Sequence, residues 1–264
     1  VTVEPAGDGV LLRGEAGPAV GAEAGVAVLV RVAGEGDPAV ESWALVEADD
    51  PGLHIEPLET IDASRAVARV RLDGATVPAD RVATLPAGFV RDLTAGLAAA
   101  ELAGLAGWAL TTAVEYAKIR EQFGKPIGSF QAVKHICAEM LCRTEKIRAM
   151  AWDAAVTVDA QPDELPIAAA AAVAVALDAA VQTAKDAIQV LGGIGFTWEH
   201  DAHFYLRRAV ATRQVLGGST VWRSRLTTLV RAGARRHLGI DLSDHEEERA
   251  RIRAEVEKIA AAPE

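Results

Sequence analysis

The chain has 264 residues, half of them apolar, which predicts one or two domains with a sizeable core and excludes a disordered polypeptide. With 37 acidic against 27 basic residues and a net charge of -10, it lacks the basic face that a phosphate backbone wants, so nucleic acid is not an expected partner. Cys137 and Cys142, five apart in a helical-looking stretch, point to different faces; neither a disulfide nor a metal site fits, a reducing cytoplasm is expected, and the apolar run 97–110 is too short and interrupted to span a bilayer.

Up to about Leu85 the pattern is that of strands, at 10–12, 26–32, 42–46 and 66–72, the last alternating apolar residues with arginine as a half-buried strand does. Turn chemistry separates them: Gly7-Asp8-Gly9, Gly34-Glu35-Gly36-Asp37-Pro38, Asp50-Pro51-Gly52 and Asp73-Gly74. A small β domain, barrel or sandwich, is expected over residues 1–86.

From residue 87 to 240 the period is helical, with segments at 91–121, 129–160, 165–192, 199–212 and 218–236, so the chain is expected to be α+β with an antiparallel helical bundle after the β domain. The segment 163–192 is alanine and valine on all sides, the mark of a helix buried within a bundle. Asp92, Ser129 and Asp163 are expected N-caps, and Gly96, Gly104 and Gly107 lie near one face, where a second helix could approach. Residues 241–264 are expected to be an extra amphipathic helix that either packs back on the bundle or starts a further module, with a capping box at Ser243-Asp244-His245-Glu246 and apolar Ile252, Val256 and Ile259. None of the six histidines has metal-ligand spacing with a third ligand; His200 and His203, one turn apart, are expected at a helix surface.

Two strings carry chemistry. The first is Arg120-Glu121-Gln122-Phe123-Gly124, continued by Phe130-Gln131; the second, Gln189-Val190-Leu191-Gly192-Gly193, ends a helix on glycines. As local structure, the arginine is a helix-end cation and the glycines a C-cap. Together, and with the continuation through Tyr205-Leu206-Arg207-Arg208, they resemble the flavin-binding signatures of the acyl-CoA dehydrogenase family over nearly all of residues 10–236. The resemblance implies FAD as cofactor, with contacts from Arg120, Gln122, Phe123, Phe130, Gln131, Gln189, Gly192, Gly193 and Ser219. A guanidinium is the side chain suited to a diphosphate.

The departures lie around the reacting atoms. The loop matching that family's catalytic glutamate reads Val215-Leu216-Gly217-Gly218-Ser219-Thr220, with Gly217 at the base position; the family's second base location falls at or beside Thr94, and a nearby arginine is matched by Ala95. A positioned base contributes about 10²–10⁴ in rate to removal of a proton α to a thioester. Pro18 and Val20 stand where the resemblance leads one to expect an aromatic and a hydroxyl residue against the flavin ring. Glu101, an acid among alanines, is either a relocated base with a pKa raised by burial or a carboxylate paired with arginine or facing solvent, the pairing being favoured.

The resemblance implies an N-terminal helical domain that this sequence does not include. It also suggests a fragment of a longer fused chain, as in actinobacterial steroid-type enzymes with one degenerate and one catalytic half. The expected role is the non-catalytic half of a flavin-dependent acyl-CoA dehydrogenase. Its partners would be an acyl-CoA substrate, a second dehydrogenase half and an electron-transfer flavoprotein. The alternatives are a self-sufficient enzyme using Glu101, or a flavin-free scaffold.

Overall fold

The structure is a computed structural model and describes residues 1–22, 27–33, 37–237 and 245–260. The first third builds seven strands: β1 (Thr2–Ala6), β2 (Gly9–Val20), β3 (Ala27–Val32), β4 (Val40–Glu47), β5 (Leu53–Leu58), β6 (Val67–Pro78) and β7 (Val82–Pro86). They form two antiparallel sheets, ordered β1-β2-β6-β5 and β3-β4-β7. Inward residues of both sheets, among them Leu12, Val28, Val30, Val46, Val70 and Val77, pack into one apolar core. The period-2 pattern of β3 and β6 thus buries one face of each strand, as two packed sheets require. The arrangement is an open sandwich; among the described residues no sheet closes into a barrel.

The expectation of a turn at Asp73-Gly74 is corrected: both residues lie within β6. The register slips there opposite Leu12 and Arg13, Gly74 takes φ 80°, and the Asp73 N–H donates to the Gly52 carbonyl at 2.8 Å. A bulge and a turn demand the same left-handed glycine, so sequence alone does not separate them. The Gly34-Glu35-Gly36 part of an expected turn and Val26 of an expected strand fall outside the described residues.

The remainder is helical: α1 (Phe89–Ile119), α2 (Gln131–Ala160), α3 (Leu165–Leu191), α4 (Ala202–Val215) and α5 (Ser219–Arg231), with a short hairpin of β8 (Glu121–Gln122) and β9 (Lys125–Pro126) after α1. As its composition predicts, α3 is buried on most of its circumference and touches α1, α2, α4 and α5. By length and composition Phe89–Ile119 and Pro162–Phe196 could each cross a membrane, beyond what the run 97–110 suggested; 67% of the most apolar window of the second is buried inside the bundle.

Three expected N-caps are corrected. Ser129 and Asp163 sit in short 3-10 turns that precede α2 and α3, where Phe130 and Glu164 occupy the cap positions without side-chain cap bonds. Asp92 lies inside the first turn of α1, 1% exposed, and accepts from Arg225 Nη2 at 2.7 and 2.8 Å, so it joins α1 to α5. Of the three glycines on α1, Gly96 faces Ala154 of α2 at 3.7 Å, Gly107 lies beneath Arg148, and Gly104 meets nothing within 4 Å.

Val1–Ala234 form one compact unit and Arg235–Glu264 a second, which contains α6 (Glu246–Ala260). The expected boundary at residue 240, Ser243 and Asp244 of the capping box and the side chain of Ile259 lie outside the described residues. Leu177 on α3 is fully buried in the main helical core. Leu177→Ala should therefore cost about 2–5 kcal/mol in a urea unfolding titration, with the slope unchanged.

Candidate functional site

Arg208 on α4 joins three elements. Its Nε donates to Asp62 Oδ2 at 2.5 Å, its Nη1 to Glu101 Oε1 at 2.6 Å, and its Nη2 to the Ser64 carbonyl and hydroxyl, each at 2.8 Å. Asp62 and Ser64 lie between β5 and β6, and Glu101 lies within α1; Arg65 donates to the same Glu101 oxygen. Burial pushes the Glu101 carboxyl up, but the hydrogen bonds and charges of Arg65 and Arg208 outweigh it and leave the pKa below its ordinary value. Burial likewise pulls the Arg208 guanidinium down, and Glu101 and Asp62 more than restore it. Of the two readings of Glu101, the structure gives the arginine-paired one. A base with a raised pKa is the opposite of what this environment makes.

Beside this network lies a cavity of about 360 Å³, walled by Val20 and Leu58 of the sandwich, Leu97 and Ala98 of α1, and Val215 and Leu216. Both expected base positions adjoin it. Thr94 lines the wall with its hydroxyl donated to the Val90 carbonyl at 2.7 Å, and Gly217 follows Leu216 with φ 77°. Three carboxylates line the cavity: Asp62 and Glu101 are held in the arginine network, and Glu59 is exposed. Ala95 is fully buried, and Val20, at one expected flavin-ring position, is part of the cavity wall.

The motif residues behave differently. Arg120 caps α1 and is exposed, with no side-chain ion pair among the described residues. After it the chain reverses through β8 and β9, a turn whose tip is Phe123 at φ 55° and Gly124 at φ 78°. Phe123 is 91% exposed, stands edge-on to Phe130 at 6.1 Å, and Lys125 Nζ lies 4.5 Å from the Phe130 ring. Gln131 opens α2 and is exposed, while Gln122 donates back to the Glu121 carbonyl at 2.8 Å. Gln189 is exposed at the end of α3, and a Cβ on Gly192 or Gly193 would meet nothing within 4 Å. Ser219 is unlike these: it is 4% exposed and hydrogen-bonds Asp178, whose carboxyl it helps to hold below its ordinary pKa.

Among the described residues the Arg120 guanidinium has no carboxylate partner, and a guanidinium and open glycine backbone are each of a kind that suits a diphosphate. The cavity lining combines the apolar Val20, Leu97 and Leu216 with the polar Thr60, Thr94, Thr212 and Gln214.

The model of the acyl-CoA dehydrogenase C-terminal domain matches residues 92–228. The chain belongs to the acyl-CoA dehydrogenase family. Acyl-CoA dehydrogenase FadE34 of Mycobacterium tuberculosis is 49% identical over 228 residues, which are 86% of this chain and 32% of FadE34. IpdE2 of the same organism is 45% identical over 107 residues, 40% of this chain and 32% of IpdE2. The chain thus spans about a third of the length of the curated relatives it matches.

Among solved structures, the steroid acyl-CoA dehydrogenase Tcur3481-Tcur3483 (G363A variant) superposes with a TM-score of 0.77 at 29% identity, covering 88% of this chain and 63% of that one. The ChsE4-ChsE5 complex of M. tuberculosis gives 0.74 at 28% identity, covering 89% and 63%. Acyl-CoA dehydrogenases act as oxidoreductases on a CH-CH bond with FAD, and steroid-type and heteromeric members are among the structural neighbours of this chain.

Asp62, Arg65 and Arg208 were not singled out from the sequence. Arg208 stands in the matched string, but its partners are 107 and 146 residues away, and only the fold brings them together. His200 and His203 depart from the expected helix surface. His200 precedes α4 and accepts from the Ala202 N–H at 3.0 Å, and the His203 ring lies between Trp198 and Phe204 with its nitrogens buried.

Because the folded pKa of Glu101 is depressed, its stabilisation is present above its unfolded value and is lost as pH falls through the folded one. Thermal unfolding followed between pH 7 and 3 should show wild type losing stability below about pH 4.5, and Glu101→Gln, less stable at pH 7, losing less over that window.

Proposed function

We propose that this chain is the non-catalytic half of a flavin-dependent acyl-CoA dehydrogenase assembly, in which a partner half supplies the base and the thioester site. The observation that carries this reading is the contrast between two regions. Around the cavity, the base positions hold Thr94 and Gly217, while Glu101 is held ionised by two arginines. On the outer surface Arg120, Phe123, Gln131 and Gln189 are exposed.

In this reading Arg120 binds the diphosphate of a cofactor seated mainly in the neighbouring half. Phe123 and Phe130 cover its edge, Gln122, Gln131 and Gln189 donate to its polar groups, and Gly192 and Gly193 let it approach the backbone. Buried Ser219 acts indirectly, by fixing the start of α5 through Asp178. When bound, FAD supplies the hydride acceptor for α,β-dehydrogenation of an acyl-CoA, and an electron-transfer flavoprotein takes the electrons onward.

The relatives support a paired architecture. The same number of modules does not account for their lengths, since 228 residues make 32% of FadE34 and 115 make 30% of FadE25, so FadE34 is roughly twice as long. Two structural neighbours are described by paired gene names, and one as a steroid enzyme, which supports a lipid- or steroid-degrading role. The acidic, cysteine-poor composition suits a cytoplasmic site.

The test is co-expression with the catalytic half. Arg120→Ala should lower the flavin content of the purified assembly at least tenfold, with melting of the isolated chain unchanged; full flavin retention would sink the reading and favour a flavin-free scaffold. The isolated wild-type chain, mixed with FAD and an acyl-CoA under anaerobic conditions, should leave the flavin absorbance unbleached. Bleaching that is lost in Glu101→Gln would establish a self-sufficient enzyme instead.

A further inference from the structure

We infer that the pocket where the end of α1 meets the start of α2 is a binding site for a small monoanion with a short apolar body. It goes beyond the proposed function and does not rest on it, since no residue lining this pocket is assigned there to the cofactor. At about 370 Å³ the pocket lies toward the lower end of the range of small-molecule sites.

Three segments build it. Val114 and Ala117 come from the last turns of α1, Val133 and Cys137 from the first turns of α2, and Gly128 from the 3-10 turn between them. A Cβ on Gly128 would stand 2.9 Å from the Ala117 carbonyl oxygen, so only glycine lets that turn come against α1 and close the third side. The floor offers no hydroxyl, amide or carboxylate side chain and therefore takes apolar surface. Burial there pushes the Cys137 thiol above its ordinary pKa, as an apolar floor does.

The rim carries charge of one sign. Lys118 and Lys134 line the pocket and no acid does, although the chain as a whole carries -10. Lys118 Nζ lies 2.7 Å from Glu115, but both side chains are 62% exposed, so this pair holds the ammonium only weakly against another anion. Lys134 is exposed and has no ion pair among the described residues. The partial charges of the α1 C-terminus and the α2 N-terminus oppose one another here, so the lysines set the sign.

With the Lys118–Glu115 pair taken as neutral, Lys134 leaves one net positive charge, which matches a monoanion. An ammonium is a compact point charge without the planar fork of a guanidinium, so carboxylate and sulfonate suit it equally. A cation is repelled, and a neutral molecule gains the apolar contact alone.

The two cysteines supply the test and its internal control. Cys137 lines the pocket, whereas Cys142, five residues further along the same helix, is exposed and does not line it. The purified chain is alkylated with iodoacetamide in the presence of octanoate, octane-1-sulfonate, octan-1-ol or octyltrimethylammonium, and each cysteine is followed by peptide mass spectrometry. Both anions should slow alkylation of Cys137 saturably and leave Cys142 unchanged. The alcohol should protect only at higher concentration, and the cation not at all. Lys134→Ala changes an exposed side chain, so it should keep the melting temperature and raise the half-protecting octanoate concentration about threefold, with Lys134→Arg restoring it.

Equal protection of both cysteines, protection of Cys137 by the alcohol or the cation as strong as by octanoate, or an unchanged half-protecting concentration in Lys134→Ala would overturn the inference. So would a Cys137 that neither anion protects, or one that resists alkylation when no anion is present, since the pocket would then be closed to small molecules. These readouts involve no flavin, so failure here is distinguishable from failure of the proposed function.

Discussion

The guanidinium of Arg208 is the constraint on which the arrangement of the site depends. One side chain of α4 reaches a carboxylate in the β5–β6 loop, a carboxylate on α1 and a backbone carbonyl, so the sandwich and the bundle are held by a single planar fork of donors. Guanidinium suits this role because its donors are fixed in one plane and it stays charged at any relevant pH. Asp62, 2% exposed, would be costly to bury without it. Asp62, Arg65 and Glu101 of this network line the cavity between the sandwich and α1.

The same network decides the chemistry. Glu101 stands within reach of the cavity, where a proton acceptor could act, but two cations hold its proton affinity down. Proton abstraction from a weak carbon acid needs a base whose pKa approaches the working pH, and the surroundings of Glu101 push the other way. The Glu101 carboxylate is engaged instead in ion pairs with Arg65 and Arg208. Arg120, Phe123, Gln131 and Gln189 are each exposed and carry no such conflict.

Much was legible in the chain itself. The period-2 alternation of 66–72 and the all-round apolarity of 163–192 placed a buried strand and the central helix, because burial is written in spacing. The strings around Arg120 and Gln189 identified the family, since each joins a special backbone conformation to a charged or amide side chain. Strands β1, β5 and β7 were harder to see: each has only partial burial and weak alternation. The caps at Ser129 and Asp163 failed because residues in short 3-10 turns share the composition of helix starts.

The sequence by itself determined the fold class and the family, because those depend on local periodicity and contiguous motifs. Only the tertiary structure decided what Glu101 and Asp92 do, since their partners Arg208 and Arg225 lie 107 and 133 residues away. It likewise decided that Thr94, Thr212 and Leu216 face one cavity. Pairing of distant charges and enclosure of space are set by packing, and packing has no one-dimensional signature.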